Sequence, residues 1–311
     1  MKVAVIGAGF AGLAVSLALL HKGISVTLYD QKGIGGGASG IASGLLHPYI
    51  GEGGKRSEKA TEALVDARAL IEFSQTFSTE KVADFSGLVR QVPLDLQEIF
   101  VSHEKRYGDV ERLSKDFFLI RSGIVVHSSL YLQGLYQGCL SKGMEFQVRK
   151  ISFLEELEGY DLCVFAVGAG VFSFAGLESL QLKPVRGQIL LCEWPSSLPV
   201  LTNSLVGKGH IIPLYEGVVH LGSTYERGCL DIIPCQESAL VDLEPKARAL
   251  VPEWENIKPI ACKAGVRVAC VGQYTPLLKE VKKDIWVLTA LGSRGLLYHG
   301  YIAKAFMKLL A

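Results

Sequence analysis

The chain has 311 residues, 49% hydrophobic and 20% charged, which is enough apolar material for one large or two medium domains and excludes a disordered or collagen-like polymer. With 32 Lys+Arg against 31 Asp+Glu, the net charge of +1 gives no global attraction to nucleic acid or to an anionic membrane surface, although local basic patches are left open. Seven cysteines, an odd number with no C-x-x-C pair and no ligand-spaced histidine beside them, argue against a disulfide framework and against a metal site; they point to reduced thiols in a cytoplasmic protein.

No charge occurs from Val3 to Leu20, a profile that hydropathy alone would assign to a signal peptide or membrane helix. Glycines interrupt the run and divide it. Lys2–Ile6 is predicted as a buried strand and Ala11–Lys22 as a helix; after the helix-ending Gly23, Ser25–Tyr29 is a second strand. The expectation is strand, helix, strand, and no membrane span. The first turn is Gly7-Ala8-Gly9-Phe10-Ala11-Gly12, a G-x-G-x-x-G that follows a strand, opens a helix and is succeeded by Asp30 at the end of the next strand. Gly7 permits the tight turn, Gly9 lets the backbone approach a pyrophosphate, and Gly12 lets helix and strand pack closely. The helix N-terminus offers free N–H groups and a partial positive charge to phosphate. Asp30, with Gln31 and Lys32 beside it, is placed to accept a ribose hydroxyl, and its charge disfavours a 2′-phosphate, hence NADP.

A second glycine- and serine-rich loop follows, Gly35 to Pro48, containing Ala38, Ser39, Gly44, Leu45, Leu46 and His47. A loop of this kind directly after the βαβ unit suits an extended cofactor that needs further backbone donors. Here the sequence resembles the D-amino-acid oxidase-like family of FAD-dependent amine oxidoreductases. That resemblance implies non-covalent FAD and an α/β fold: a Rossmann-like FAD-binding domain of the glutathione-reductase type, interleaved with a smaller antiparallel-sheet substrate domain. The FAD-binding part is expected over 1–80, 125–184 and 260–311, and the substrate part over 81–124 and 185–259.

Further along, Glu145–Ile151 is predicted as a strand, with Ile151 where the family covers the adenine. Asp161–Phe165 is a buried strand leading into Val167-Gly168-Ala169, which is similar to the family's second dinucleotide-side signature. Strands are expected at Gly187–Cys192, His210–Pro213 and Val218–Gly222, and a helix at Asp242–Val251. Ile285–Ala290 is a strand, followed by Gly292-Ser293-Arg294-Gly295-Leu296 and a helix from about Tyr298 to Leu310. In the family this last unit delivers backbone N–H groups and a helix dipole to the flavin.

Amine oxidation requires a carboxylate clamp, and a guanidinium fork matches a carboxylate in two-pronged fashion. Arg267, in Ala264-Gly265-Val266-Arg267, resembles the family's carboxylate-binding arginine. Many members continue as R-P-x-x-x-D-x-x-P; here Val268 replaces the proline and Gly272 stands where the aspartate would be. His210, His47 and Arg294 are further candidates near substrate or flavin, with Tyr225 a weaker one. Three segments, Ala38–Pro48, Pro184–Gln188 and Gly292–Leu296, resemble the FAD-containing half of bifunctional tRNA wobble-uridine enzymes. The chain begins almost directly with the nucleotide-binding strand, so their methyltransferase half is expected to be missing. The implied substrate is carboxymethylaminomethyl-uridine, chemically an N-substituted glycine. The alternatives are an oxidase or dehydrogenase acting on free glycine, sarcosine or a D-amino acid, and a non-catalytic FAD-binding protein.

Overall fold

The computed structural model describes residues 1–311 except Glu52, Ala175, Gly176, Glu216 and Ala311. Strand β1 (Lys2–Ile6) is buried along Val3, Ala4, Val5 and Ile6, as a central strand covered on both faces must be. Helix α1 (Phe10–Leu20) is apolar all round and correspondingly buried all round; the chain leaves it at His21, two residues earlier than expected, and turns through Gly23 at φ 73°. Strand β2 (Ser25–Asp30) then returns parallel to β1, with Val5 opposite Leu28.

Six strands make the first sheet, in the order Leu277–Lys282, Ile285–Thr289, Leu162–Phe165, β1, β2 and Glu145–Val148. All neighbours are parallel except the first pair, which is antiparallel. The two-residue period of β1 divides the core. Val3 and Val5 pack towards α1 and the helices Ala60–Gln75, Ser128–Leu140 and Gly295–Leu309, whereas Ala4 and Ile6 pack towards Phe165, Leu180 and Val287 on the other face. Leu13 and Leu17 of α1 are 0% and 1% exposed, so truncating either to alanine should cost about 2–5 kcal/mol.

The second sheet has nine strands. Its long member, Leu182–Glu193, pairs antiparallel with Val218–Gly222, Glu226–Arg227 and Pro259–Cys270. The last pairing corrects one boundary: residues 260–270, expected in the nucleotide-binding part, belong to this sheet. Helix Gln236–Leu250 covers it with Trp254, which is fully buried and edge-on to Trp194 at 5.2 Å. The helix starts six residues earlier than expected, and the strand at 145 ends at Val148, before Ile151. Within 81–124, expected in the substrate part, Gln97–Tyr107 is a helix that buries Gln97, Phe100 and His103. No helix among the described residues is long and apolar enough to cross a membrane, and none of the seven cysteines forms a disulfide.

Candidate active site

The turn between β1 and α1 is built around its glycines. Gly7 has φ 107°, donates its N–H to the Tyr29 carbonyl at 2.7 Å, and leaves no room for a Cβ beside the Ala166 carbonyl. A Cβ on Gly12 would overlap the Gly7 carbonyl oxygen, and one on Gly9 would stand 2.8 Å from Ser39 Oγ. Ser39 reaches across from the second glycine-rich loop, accepting the Phe10 N–H at 3.2 Å. Asp30 accepts the N–H of Ala8 at 2.8 Å and that of Lys32 at 2.8 Å, one on each carboxylate oxygen. The carboxylate therefore ties the two crevice edges together and keeps further lone pairs for a hydroxyl. Gln31 and Lys32 lie exposed beside it.

A cleft opens from this turn and runs to the second sheet. Gly9, Phe10 and Ala11 line one end; Ala38, Ser39, Gly44 and Leu45 form one wall, and Gly168, Gly292, Ser293, Gly295 and Leu296 border the other side. Its far end is formed by Gly187, His210, Ser223 and the strand segment Gly265–Val268. Gly44 (φ 84°) leaves no room for a Cβ beside the Val126 carbonyl. Leu46, Val167, Ala169 and Ile151 do not line the cleft. Leu46 and Ile151 are buried in the cores on opposite faces of the first sheet, and Ile151 packs in the cluster that holds Tyr29.

This cleft fits an extended dinucleotide such as FAD. Three loops approach it through glycines, and two helices, α1 and Gly295–Leu309, begin at it with N-cap residues, Gly9 and Arg294, whose side chains cap no N–H. Thr289 Oγ1, also at the cleft, is buried and has no hydrogen-bond partner.

At the far end stands Arg267. Its Nη2 donates to Ser223 Oγ at 2.9 Å and to the Thr224 carbonyl at 3.5 Å, and its guanidinium lies 5.7 Å from the Tyr225 ring centre. It makes no ion pair among the described residues, and burial lowers its pKa, with Tyr225 opposing the shift. His210 Nε2 lies 2.8 Å from Ser43 Oγ. Burial, then the charges of His220, Arg267 and Lys246, push the His210 pKa down to about 3, so the ring is neutral near pH 7.

Two other expected residues lie away from the cleft lining. His47 is 5% exposed, its Nδ1 has no partner, and burial followed by Arg90, Arg294 and His210 lowers its pKa to about 3. Arg294 turns from the Gly292 loop towards the segment 50–57, donating to the Ile50 carbonyl at 3.1 Å and to Ser57 Oγ at 3.4 Å. Sequence reasoning missed Arg90. It is 5% exposed, donates to the carbonyls of Tyr49 and Gly51, and its Nε finds no partner among the described residues; burial lowers its pKa to about 10. The available signal was its period-two spacing with Leu88 and Val92, both buried. Among the described residues Arg267, Arg90 and Arg294 thus bring positive charge without an ion-pair partner to a region where burial keeps His47 and His210 neutral.

The chain is 25% identical to the tRNA 5-methylaminomethyl-2-thiouridine biosynthesis bifunctional protein MnmC of Chromohalobacter salexigens, over 94% of this chain and 51% of that protein. It is 27% identical to MnmC of Burkholderia mallei over 89% of this chain and 48% of that protein. The chain therefore spans about half the length of these curated relatives. Among solved structures, glycine oxidase from Geobacillus kaustophilus superposes with a TM-score of 0.83 at 18% identity, covering 99% of this chain and 94% of that one. Iminodiacetate oxidase from Chelativorans superposes at 0.79 with 18% identity, covering 97% and 93%. At these identities the two structures establish the fold. A family model described as FAD dependent oxidoreductase matches residues 2–309, and the chain belongs to that family, DAO.

Proposed function

We propose that the protein oxidises the carbon–nitrogen bond of an N-substituted glycine, and that this glycine is the carboxymethylaminomethyl group of a tRNA wobble uridine. The observation that carries the reading is Arg267: a partly buried guanidinium at the cleft, on a strand of the second sheet, with a hydroxyl and a carbonyl as its hydrogen-bond partners among the described residues. A partly desolvated cation without a counter-ion among those residues is costly, and a substrate carboxylate would offset that cost in a geometry its fork matches. The uridine reading is supported by the MnmC relatives, whose name places them in tRNA 5-methylaminomethyl-2-thiouridine biosynthesis. Glycine and iminodiacetate, for which the two structural neighbours are named, share the amine one carbon from a carboxylate.

In this reading Gly7 to Gly12 hold the pyrophosphate and Asp30, with Gln31 and Lys32, the ribose. Ala38, Ser39, Gly44, Leu45, Gly168, Gly292, Ser293, Gly295 and Leu296, which line the cleft, embrace the rest of FAD, with Ile151, Leu46, Val167 and Ala169 packed behind that lining. Bound FAD supplies the hydride acceptor. Arg267 fixes the carboxylate, and through it the α-carbon. That carbon loses a hydride as the amine lone pair forms a C=N bond, and the nitrogen loses its proton. Water then splits the imine into the primary amine and glyoxylate. His210, neutral and bonded to Ser43, is too weak a base to take a proton from an ammonium, so the substrate must react as its free amine.

The test follows the visible flavin band of the FAD-loaded protein anaerobically while glycine, sarcosine, D-alanine and tRNA carrying carboxymethylaminomethyl-uridine are added in turn. Rapid bleaching by the tRNA is expected. Bleaching by a free amino acid alone would move the substrate to small metabolites, and no bleaching by any of them would mark a flavin-binding protein without this activity.

A further inference from the structure

Two tyrosines stand beside the arginines of this site, and nothing in the reaction above uses them. Tyr225 is 52% exposed and Tyr274 is 79% exposed, unusual for large rings so close to partly buried guanidinium groups. Tyr225 directly follows Ser223 and Thr224, the two residues that accept from Arg267. Tyr274 lies between the strand that carries Arg267 and the strand Leu277–Lys282. The Arg267 guanidinium is 5.7 Å from the Tyr225 ring centre and that of Arg294 is 5.0 Å from the Tyr274 ring centre. Arg294 is also within electrostatic reach of both Tyr225 and Tyr274, so the two rings share its neighbourhood just outside the residues that line the cleft.

We propose that Tyr225 and Tyr274 form a stacking rim that selects substrates whose amine carries a planar pyrimidine-type base. The inference rests on the reading of Arg267 as the carboxylate holder. Solvent begins one side chain away from that guanidinium, at the half-exposed ring of Tyr225. A bulky substituent on the substrate nitrogen has to leave past this rim. Rings held by cation–π contacts have their orientation set in advance, which limits the entropy lost when a base stacks on them. Arg227, exposed and 5.6 Å from the Tyr225 ring centre, adds a positive charge beside the rim that suits the phosphate of a nucleotide chain. A free amino acid needs none of these features.

The experiment compares 5-carboxymethylaminomethyl-uridine with sarcosine in the FAD-loaded protein and in Tyr274→Leu, Tyr225→Leu, Tyr274→Phe and Tyr225→Phe. Binding is read from the shift of the flavin band and reduction from its anaerobic bleaching. The preference for the nucleoside over sarcosine, as a ratio of kcat/KM, should fall roughly tenfold or more in each leucine variant and return with phenylalanine. A ratio unchanged in both leucine variants, or equally reduced in the phenylalanine variants, would overturn the stacking role. If sarcosine binds to the parent protein and the nucleoside does not, the rim proposal falls while amine oxidation stands. If neither binds, both readings fall.

Discussion

Gly187 and Arg267 are diagonal neighbours on paired antiparallel strands, and the arginine head fills the space where a side chain at 187 would stand: a Cβ there would collide with Arg267 Nη2. The glycine makes room for a charge. Gly187→Ala meets the mobile end of a side chain and no backbone, so the fold should survive while the guanidinium is pushed from its place near Ser223. Carboxylate-substrate affinity should fall about tenfold. Arg267→Ala should cost roughly 10- to 100-fold, the value of a charged hydrogen-bonded pair. Both are read by titrating the flavin band, with FAD content unchanged; equal affinity in Arg267→Ala and the parent would remove Arg267 from the site.

Four histidines, His47 and His299 buried and His210 and His220 partly buried, make the stability of this fold depend on pH in a definite direction. Burial, the largest cause in each, lowers His47 and His210 to about 3 and His220 and His299 to about 4, from an ordinary value of 6.5. Between those values the unfolded chain holds more protons than the folded one, so stability rises with pH. It is complete above about pH 6.5 and drains away as pH falls towards 4 and 3. Near pH 5 unfolding should take up about four protons, one per histidine, measured as the slope of the denaturant midpoint energy against pH. His47→Leu, which also removes an unpartnered buried nitrogen, should lower that slope by about one proton. A flat profile between pH 5 and 7 would show these rings to be solvated.

The parts of this molecule that were legible in the sequence are those whose function is local. The β1–α1 turn needs glycine at three positions within six residues, a spacing set by the turn itself, although the atoms that exclude a Cβ at Gly7 and Gly9 belong to Ala166 and Ser39. Arg267 was singled out by the resemblance of Ala264-Gly265-Val266-Arg267 to the family's carboxylate-binding strand. Arg90 and Arg294 were harder for the opposite reason. Their partners lie in the segment 49–57, about 40 residues from Arg90 and more than 230 from Arg294, so the placement of each head depends on a loop with no periodic pattern. The helix Gln97–Tyr107 escaped because its inward residues include Gln97 and His103, polar side chains that hide a helical spacing shared with Phe100. Residues 260–270 were expected in the nucleotide-binding part, and their pairing with Leu182–Glu193 is one that strand pattern alone does not reveal.

Not every glycine in the two nucleotide-side loops is equivalent. A Cβ at Gly12 would meet the Gly7 carbonyl oxygen, a backbone atom that cannot yield without opening the turn. Gly37 has nothing within 4 Å and an ordinary φ. Gly12→Ala should therefore yield protein with little or no flavin and reduced stability. Gly37→Ala should keep the parent flavin-to-protein ratio and gain up to about 1 kcal/mol by restricting the unfolded chain. The ratio of flavin to protein absorbance after purification separates the two; full flavin occupancy in Gly12→Ala would show that the close helix–strand approach is dispensable.

Arg90 and Arg294 grip one stretch of backbone from two directions. Arg90 donates to the carbonyls of Tyr49 and Gly51, and Arg294 donates to that of Ile50 between them. Three successive carbonyls are thus satisfied by two guanidiniums that form no ion pair among the described residues. Arg90→Leu leaves the Tyr49 carbonyl without that donor, at a cost of about 1–3 kcal/mol for a buried acceptor, yet it also relieves the desolvation of a buried cation. The two effects oppose each other, so global stability should change by less than the sum of the lost hydrogen bonds. The local effect has no such compensation. Hydrogen exchange of the amides from 49 to 57 should quicken tenfold or more in Arg90→Leu, while those of β1 and α1 keep the parent rate. Uniform quickening everywhere would instead make Arg90 an ordinary core residue, with no particular hold on the segment that Arg294 also touches.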